Sequence, residues 1–235
     1  MKKCLLLSGK ISSGKNQFAE YLNTIYKEKG LKVVSDLFAA DLKEWSKQDF
    51  KGLSDVLNNL HSQFQNEIYK LISNRQAYGI SSDGIMDNLF KLVGKLNISD
   101  ENWFENKTDI TRSLLQIYGT QIFRNRVDDD FWIKRTKERI INSDADIVII
   151  TDVRFPNEVD FMSSDKYDTY AVRINRPINR AGQQHEHISE TALDNYTEWD
   201  YVIANDLGLE HLKECACGLI EDIEQVEKGE PCQQV

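Results

Sequence analysis

The chain has 235 residues, of which 40% are apolar, 29% charged and 10% aromatic. These proportions exclude a disordered or fibrous protein and suit a globular chain with one sizeable core, or one core carrying a large insertion. With 38 acidic against 29 basic residues the formal net charge is -9, the wrong balance for a protein that binds duplex nucleic acid by neutralising phosphates, so no nucleic acid polymer is expected as partner. A small anionic substrate stays open, because a local cationic pocket can exist inside an acidic protein.

In chain order, Cys4–Leu7 is a short apolar run, followed by a Gly-Ser turn and a helical pattern through Phe18, Ala19, Leu22 and Ile25 that Gly30 ends. Leu31–Leu37 restores a β-branched run and predicts a second strand. From Phe38 to about Asn142 the pattern is mainly helical, through Leu42 and Trp45, then Leu53, Val56, Leu57 and Leu60, then Phe64, Ile68 and Leu71, then Leu114, Leu115 and Ile117, with Gly79, Gly84 and Gly94 as punctuation. The fully apolar Ile147–Ile150 reads as a buried parallel strand followed by Thr151-Asp152. Tyr170–Ile174 and Trp199–Ala204 predict two more strands, and a helix from about Leu209 to Val226 precedes a polar tail. The expected architecture is α/β: a doubly wound parallel five-stranded sheet, with ligands beyond the carboxyl ends of its strands. One domain spanning 1–235 is expected, with a helical insertion over about 40–145 and a polar lid over about 175–192.

The cysteines, Cys4, Cys215, Cys217 and Cys232, are too sparse and uneven for a disulfide scaffold, so a reducing, cytoplasmic setting is expected. Lys2 and Lys3 before Leu5–Leu7 resemble a signal peptide only superficially, since Lys10 ends the apolar run. No apolar stretch approaches the roughly 18 residues of a transmembrane helix, and no membrane partner is expected. Cys215-x-Cys217 lies in a helical pattern without a second ligand pair, and His185 and His187 supply only two imidazoles at i and i+2; neither makes a complete metal site.

Gly9-Lys10-Ile11-Ser12-Ser13-Gly14-Lys15 falls between the first strand and the first helix, where a phosphate-cradling loop has to lie. Glycines let the backbone curl so that N–H groups point inward, the helix start adds positive potential, and Lys15 brings a full charge toward the β- and γ-phosphates. Gly9, Lys10, Ser12, Ser13, Gly14, Lys15, Asn16 and Gln17 are therefore the expected residues of a nucleoside triphosphate site, which the resemblance given below makes an ATP site. The position after the lysine usually holds Ser or Thr for Mg²⁺; here it is Asn16, a weak ligand, so the metal depends more on phosphates, water and a distant carboxylate. Asp152, at the end of the Ile147–Ile150 strand, is that candidate, its plainer alternative being a turn former.

Further constellations suit an acceptor: Lys43 after the second strand, Arg112 before Gln116 and Gly119-Thr120, Trp132, and Asp152-x-Arg154 with Glu158. Taken singly, each reads as a solvated charge or a core aromatic. Together they resemble the phage-type deoxynucleoside monophosphate kinases, a branch of the P-loop nucleotide kinases. The resemblance runs through Gly9–Lys15, Leu42-Lys43, Gln116-x-x-Gly119-Thr120, Trp132, Asp152-x-Arg154 and Glu158. It continues through Arg176-Pro177, His187-Ile188-Ser189-Glu190 and Val202-Ile203-x-Asn205-Asp206, and leaves residues 46–110 unmatched.

The resemblance implies Mg²⁺-dependent transfer of the γ-phosphoryl of ATP to a deoxynucleoside monophosphate, in the host cytoplasm if the chain is phage-encoded. By matched position, Lys43 and Arg112 hold the acceptor phosphate, Gly119, Thr120 and Trp132 line the nucleotide pocket, and Asp152, Arg154 and Glu158 meet the acceptor. Asn16 departs from the family, which often has Asp there. Families of this kind include dimers, so a homodimer is open. Arg176 and Arg180, leaving the fourth strand into a polar stretch, suit the triphosphate or the transferring phosphoryl, because a planar guanidinium grips phosphate oxygens in two places; their plainer alternative is a surface charge. His187 before Ser189-Glu190 reads as a cap or lid contact. Two alternatives stay open: a small-molecule phosphate kinase of the phosphomevalonate kinase type, and a nucleotide-binding protein without catalysis.

Overall fold

The computed structural model describes residues 2–59, 84, 88, 91–93, 95, 108–161, 167–177 and 187–228. The expectations for Leu60, Phe64, Ile68, Leu71, Gly79, Gly94, Arg180, His185 and the tail beyond 228 lie outside the described residues. The chain forms two compact units, Met1–Phe38 with Ile133–Val235, and Ala39–Trp132.

The first unit is built on a sheet of five strands among the described residues: β1 (Lys2–Ser8), β2 (Val33–Asp36), β3 (Ile147–Val153), β4 (Tyr167–Asn175) and β5 (Tyr201–Ala204). All pairings are parallel, in the order β2-β3-β1-β4-β5. Successive side chains of a strand face opposite ways. Leu5 and Leu7 meet Phe18, Ala19 and Leu22 of α1 (Lys15–Glu28) and Leu212, Ala216 and Ile220 of a later helix, Leu209–Glu227. Cys4 and Leu6 join the opposite cluster, with Ile133 and Ile140 of the helix Phe131–Ile141 and Val159 of the helix Pro156–Phe161. With both faces covered, β1 and β3 read as unbroken apolar runs, and Leu5, Leu6, Leu7, Ile149 and Ile150 are fully buried, each contributing about 1.5–3 kcal/mol of transfer free energy.

Gly30 closes α1 as expected: its N–H donates to the Lys27 carbonyl (2.9 Å) and that of Leu31 to Tyr26 (3.1 Å), the paired bonds of a Schellman motif. The strand expected to stop before Thr151 continues to Val153. The register shifts between Leu6 and Ser8, so Ser8 pairs with Val153 rather than the next residue in line, and Ser8 Oγ donates to the Val153 carbonyl (3.0 Å). That irregularity carries Asp152 and its neighbours up to the point where β1 turns into the loop.

The second unit holds α2 (Ala40–Asn59), α3 (Asp109–Gln116) and a π-helix, Ile117–Arg124. The wide turn of the π-helix has no counterpart in the sequence reading. Thr108 caps α3 by accepting from the Thr111 N–H (3.2 Å). Trp45, Phe123, Phe131 and Trp132 pack edge-on and tilted, with ring centroids 4.8–5.9 Å apart, the separations aromatic quadrupoles favour. The helix Phe131–Ile141, α4, begins in this unit and continues in the other. The later helices are α5 (Pro156–Phe161), α6 (Ile188–Thr191) and α7 (Leu209–Glu227). No helix among the described residues is long and apolar enough to cross a membrane.

Candidate active site

At the carboxyl end of β1 the chain leaves the sheet and curls through Gly9–Gly14 into α1. The Ser13 N–H donates to the Lys10 carbonyl (3.1 Å). Ser12 adopts a φ of 62°, the left-handed region that few residues other than glycine visit, and Gly14, at φ 98°, is the N-cap of α1. A Cβ at Gly9 would stand 2.5 Å from both the Ile174 carbonyl and Ser13 Oγ, so the curl closes this tightly only because residue 9 has no side chain. Ser13 Oγ is buried without a hydrogen-bond partner, an orphan donor within the loop. The first turn of α1 has neither an acidic residue nor a side-chain cap, which leaves the positive end of the helix uncompensated.

Lys15 folds back over this loop, its Nζ donating to the carbonyls of Gly9 and, at 2.8 Å, Lys10. Burial pushes its ammonium down to about 8, helped by the positive charges of Arg154 and Arg173 and opposed by Glu190 and Asp152. Those four side chains come from the ends of β3 and β4 and from α6, so the sheet gathers them around one lysine.

Asp152, half-buried near the end of β3, accepts from the Phe38 N–H through Oδ1 (2.7 Å). Glu158 is 4% exposed and accepts the N–H groups of Arg154 (2.6 Å) and Phe155 (3.1 Å), fastening the turn into α5. The Arg154 guanidinium pairs with Glu190 and donates to the Ser189 carbonyl (3.2 Å), all through Nη1. Lys10 pairs with Asp194 and donates to the Glu190 carbonyl (2.6 Å). Arg176 Nη1 reaches the Ser12 carbonyl at 3.5 Å. Asn16 is exposed, and Gln17 donates to Glu20 (3.4 Å). Of the expected donor-side residues, Arg180 lies outside the described residues, as does half of the expected lid. His187, expected as a cap or lid contact, is the N-cap of α6 (Ile188–Thr191), its Nδ1 accepting from the Ser189 N–H (3.2 Å).

Two neighbours of the loop had no assigned role in the sequence reading. Arg173 donates to Ser8 Oγ (2.9 Å), lies 3.9 Å from Asp194 and stands 5.6 Å over the Trp199 ring; a lone arginine within the apolar Ala171–Ile174 run was the available signal. Asn205, directly after β5, donates through Nδ2 to the Ser13 carbonyl (2.8 Å); its signal was a carboxamide at the carboxyl end of a strand.

In the second unit, Lys43 is exposed on the first turn of α2 and Arg112 lies on α3, 4.0 Å from Asp109. Gly119 and Thr120 are in the π-helix. Trp132 is 3% exposed and its indole N–H donates to the Gly119 carbonyl (3.0 Å), so here it is a buried support for Gly119, not an open stacking surface. A Cβ at 119 would stand 2.6 Å from Leu42 Cδ2, which ties Gly119, Trp132 and the residue before Lys43 into one packed spot.

The side chains able to hold a hard cation near the loop are oxygen donors, the carboxylate of Asp152 and the amide of Asn16. They fit Mg²⁺, which takes one or two carboxylates and completes its shell with phosphates and water. Among the described residues no group of three His, Cys, Asp or Glu side chains is placed to hold a metal ion; Cys215 Sγ lies 3.6 Å from His211 Nε2 one turn away on α7.

A deoxynucleoside-5'-monophosphate kinase of Escherichia phage T5 is 29% identical over 85 residues, which make up 35% of this chain and 34% of that protein, so the match spans about a third of the relative's length. The family model for deoxynucleotide monophosphate kinase matches residues 53–215. That span covers more than half of the chain, from within α2 into α7, and begins after the Gly9–Lys15 loop, so the loop and the family match are independent observations. The chain belongs to the deoxynucleotide monophosphate kinase family.

Proposed function

We propose that the protein transfers the γ-phosphoryl group of ATP to a deoxynucleoside monophosphate, yielding ADP and a deoxynucleoside diphosphate, with Mg²⁺ as the metal. The observation that carries this reading is the set of cations around one glycine loop, Lys15 with Arg154, Arg173 and Arg176, in a chain of this family. A protein that only held a nucleotide would need one anion site; several cations from separate strand ends suit two phosphate groups brought together.

The acceptor phosphate is itself the nucleophile. With a second pKa of about 6 it is largely deprotonated at neutral pH, and no general base is required. What the protein supplies is alignment and compensation of charge. The loop N–H groups and Lys15 take the β- and γ-phosphates, and Lys15 exchanges its two loop carbonyls for phosphate oxygens. Arg154, held by Glu190 and Ser189 on one nitrogen and by Glu158 along its backbone, directs its remaining donors at an anion. Arg176 and Arg180 neutralise charge on the transferring group. Lys43 and Arg112 hold the acceptor phosphate, with Gly119, Thr120 and Trp132 shaping the nucleotide's surroundings. Mg²⁺, held by Asp152 and more weakly by Asn16, would supply further neutralisation of the phosphates.

Incubation with ATP, Mg²⁺ and a panel of deoxynucleoside monophosphates, sugar phosphates and phosphomevalonate tests the reading. A deoxynucleoside diphosphate is the expected product. Product only from another phosphate would move the assignment to that substrate class, and none at all, with ATP bound, would leave a binder. Lys15→Ala is expected to lower turnover by about a hundredfold to a thousandfold with an unchanged circular dichroism spectrum; near-normal turnover would refute the loop as the donor site.

A further inference from the structure

We propose that Asn205 is a positioning residue of the phosphate loop: its carboxamide pins the Ser13 carbonyl outward, aims the Gly14 N–H into the curl and thereby sets the affinity for the donor triphosphate. The inference rests on the reading of ATP as donor.

Asn205 is itself firmly placed. It is 5% exposed, and its own N–H donates to the Asn175 carbonyl (2.7 Å), extending the β4–β5 ladder by one step. From there Nδ2 donates to the Ser13 carbonyl at 2.8 Å in a buried bond between residues 192 positions apart. The same carboxamide lies against the α-carbon of Gly14: a Cβ built there would collide with Nδ2 and would stand 3.3 Å from Leu212 Cδ2.

The carbonyl of Ser13 and the N–H of Gly14 belong to one peptide plane, and in a trans peptide they point in opposite directions. Fixing the oxygen on Asn205 therefore fixes the opposite heading of the hydrogen. The Gly14 N–H has no acceptor among the described residues, as expected for a donor reserved for an anion. The other side of the curl is held by the Ser13 N–H on Lys10, so the loop is braced from within by its own backbone and from behind by Asn205.

The chemistry requires a donor at this position. An amide NH₂ can hold a carbonyl oxygen, whereas a carboxylate of the same shape offers only acceptors and would repel it. Asn205→Asp thus keeps the packing and reverses the bond. The test is calorimetric titration of the full-length wild type, Asn205→Asp and Asn205→Ala with ATP, alongside separate Michaelis constants for ATP and the deoxynucleoside monophosphate and a melting curve for each. Asn205→Asp is expected to weaken ATP by about tenfold or more and Asn205→Ala by less, each leaving the Michaelis constant for the monophosphate within about twofold. If Asn205→Asp does not fold, Asn205→Ala carries the test, with the same split between substrates expected. Variants that bind ATP like the wild type, or that lose both substrates equally, would overturn the inference while the donor reading stands. A wild type that does not bind ATP would overturn the donor reading and this inference together.

Discussion

Lys15 is a charged group held where its charge is disfavoured. Its ammonium sits at about 8 because burial, and then Arg154, weigh against the protonated form. The protonated form is the one that attracts phosphate, so affinity for the proposed donor ATP is expected below that value and is expected to be lost as pH rises through it. The profile of kcat/KM for ATP, which reports groups of the free enzyme, is expected to fall above about pH 8. Arg154 disfavours the ammonium and Glu190 favours it; Arg154→Gln should therefore move the alkaline limb to higher pH and Glu190→Gln to lower pH, whatever either does to the absolute rate. Identical limbs in the two variants would dissociate Lys15 from this charge cluster. The stability counterpart has a definite sign. The folded value lies below that of the unfolded chain, so the folded state binds fewer protons between about 8 and the ordinary lysine value of about 10.4, and stability rises with pH across that window.

Among the elements, the π-helix Ile117–Arg124 offers the sharpest test. Gly119 leaves no space for a methyl group beside Leu42, and its carbonyl is occupied by the Trp132 indole. Gly119→Ala is expected to cost about 1–3 kcal/mol through overpacking, read as a lower melting temperature, and to raise the Michaelis constant of the monophosphate; Leu42→Ala in the same chain should recover part of both. No recovery would place the cause in the backbone of the π-helix rather than in the clash. This element also marks where reading the sequence stopped. β1, β3 and the loop were legible because their signals are local: apolar runs buried on both faces, then glycines and a lysine at the strand-to-helix turn. A π-turn has no periodicity that Ile117–Arg124 could display. His187 before Ser189-Glu190 was legible as a cap, the place it takes at the start of α6. Asn205 gave no hint of its partner, because its bond to Ser13 crosses most of the chain, and Arg173 looked like any strand arginine until Ser8 and Trp199 were found beside it.

For the whole molecule, the net charge of -9 opposes the approach of a polyphosphate such as the proposed donor ATP at long range, while the cations around Lys15 favour it at short range. Ligand binding should then be visible in global stability. At free ATP one hundred times its dissociation constant, linkage predicts about 2.7 kcal/mol of stabilisation, an upward shift of melting temperature that Lys15→Ala should largely abolish. A shift of equal size in that variant would mean that ATP binds elsewhere. The topology adds a consequence in time. β1 is synthesised well before its partners β3 and β4, at residues 147–153 and 167–175, and the bond behind its loop waits for residue 205. Contacts so distant in sequence are slow to form, and a nascent chain carries the Gly9–Lys15 motif without its surrounding sheet until β3 and β4 have been made. With Asn205 positioning the loop as proposed, nucleotide would act as a folding ligand only after that residue has emerged, so an early motif is completed by a much later residue.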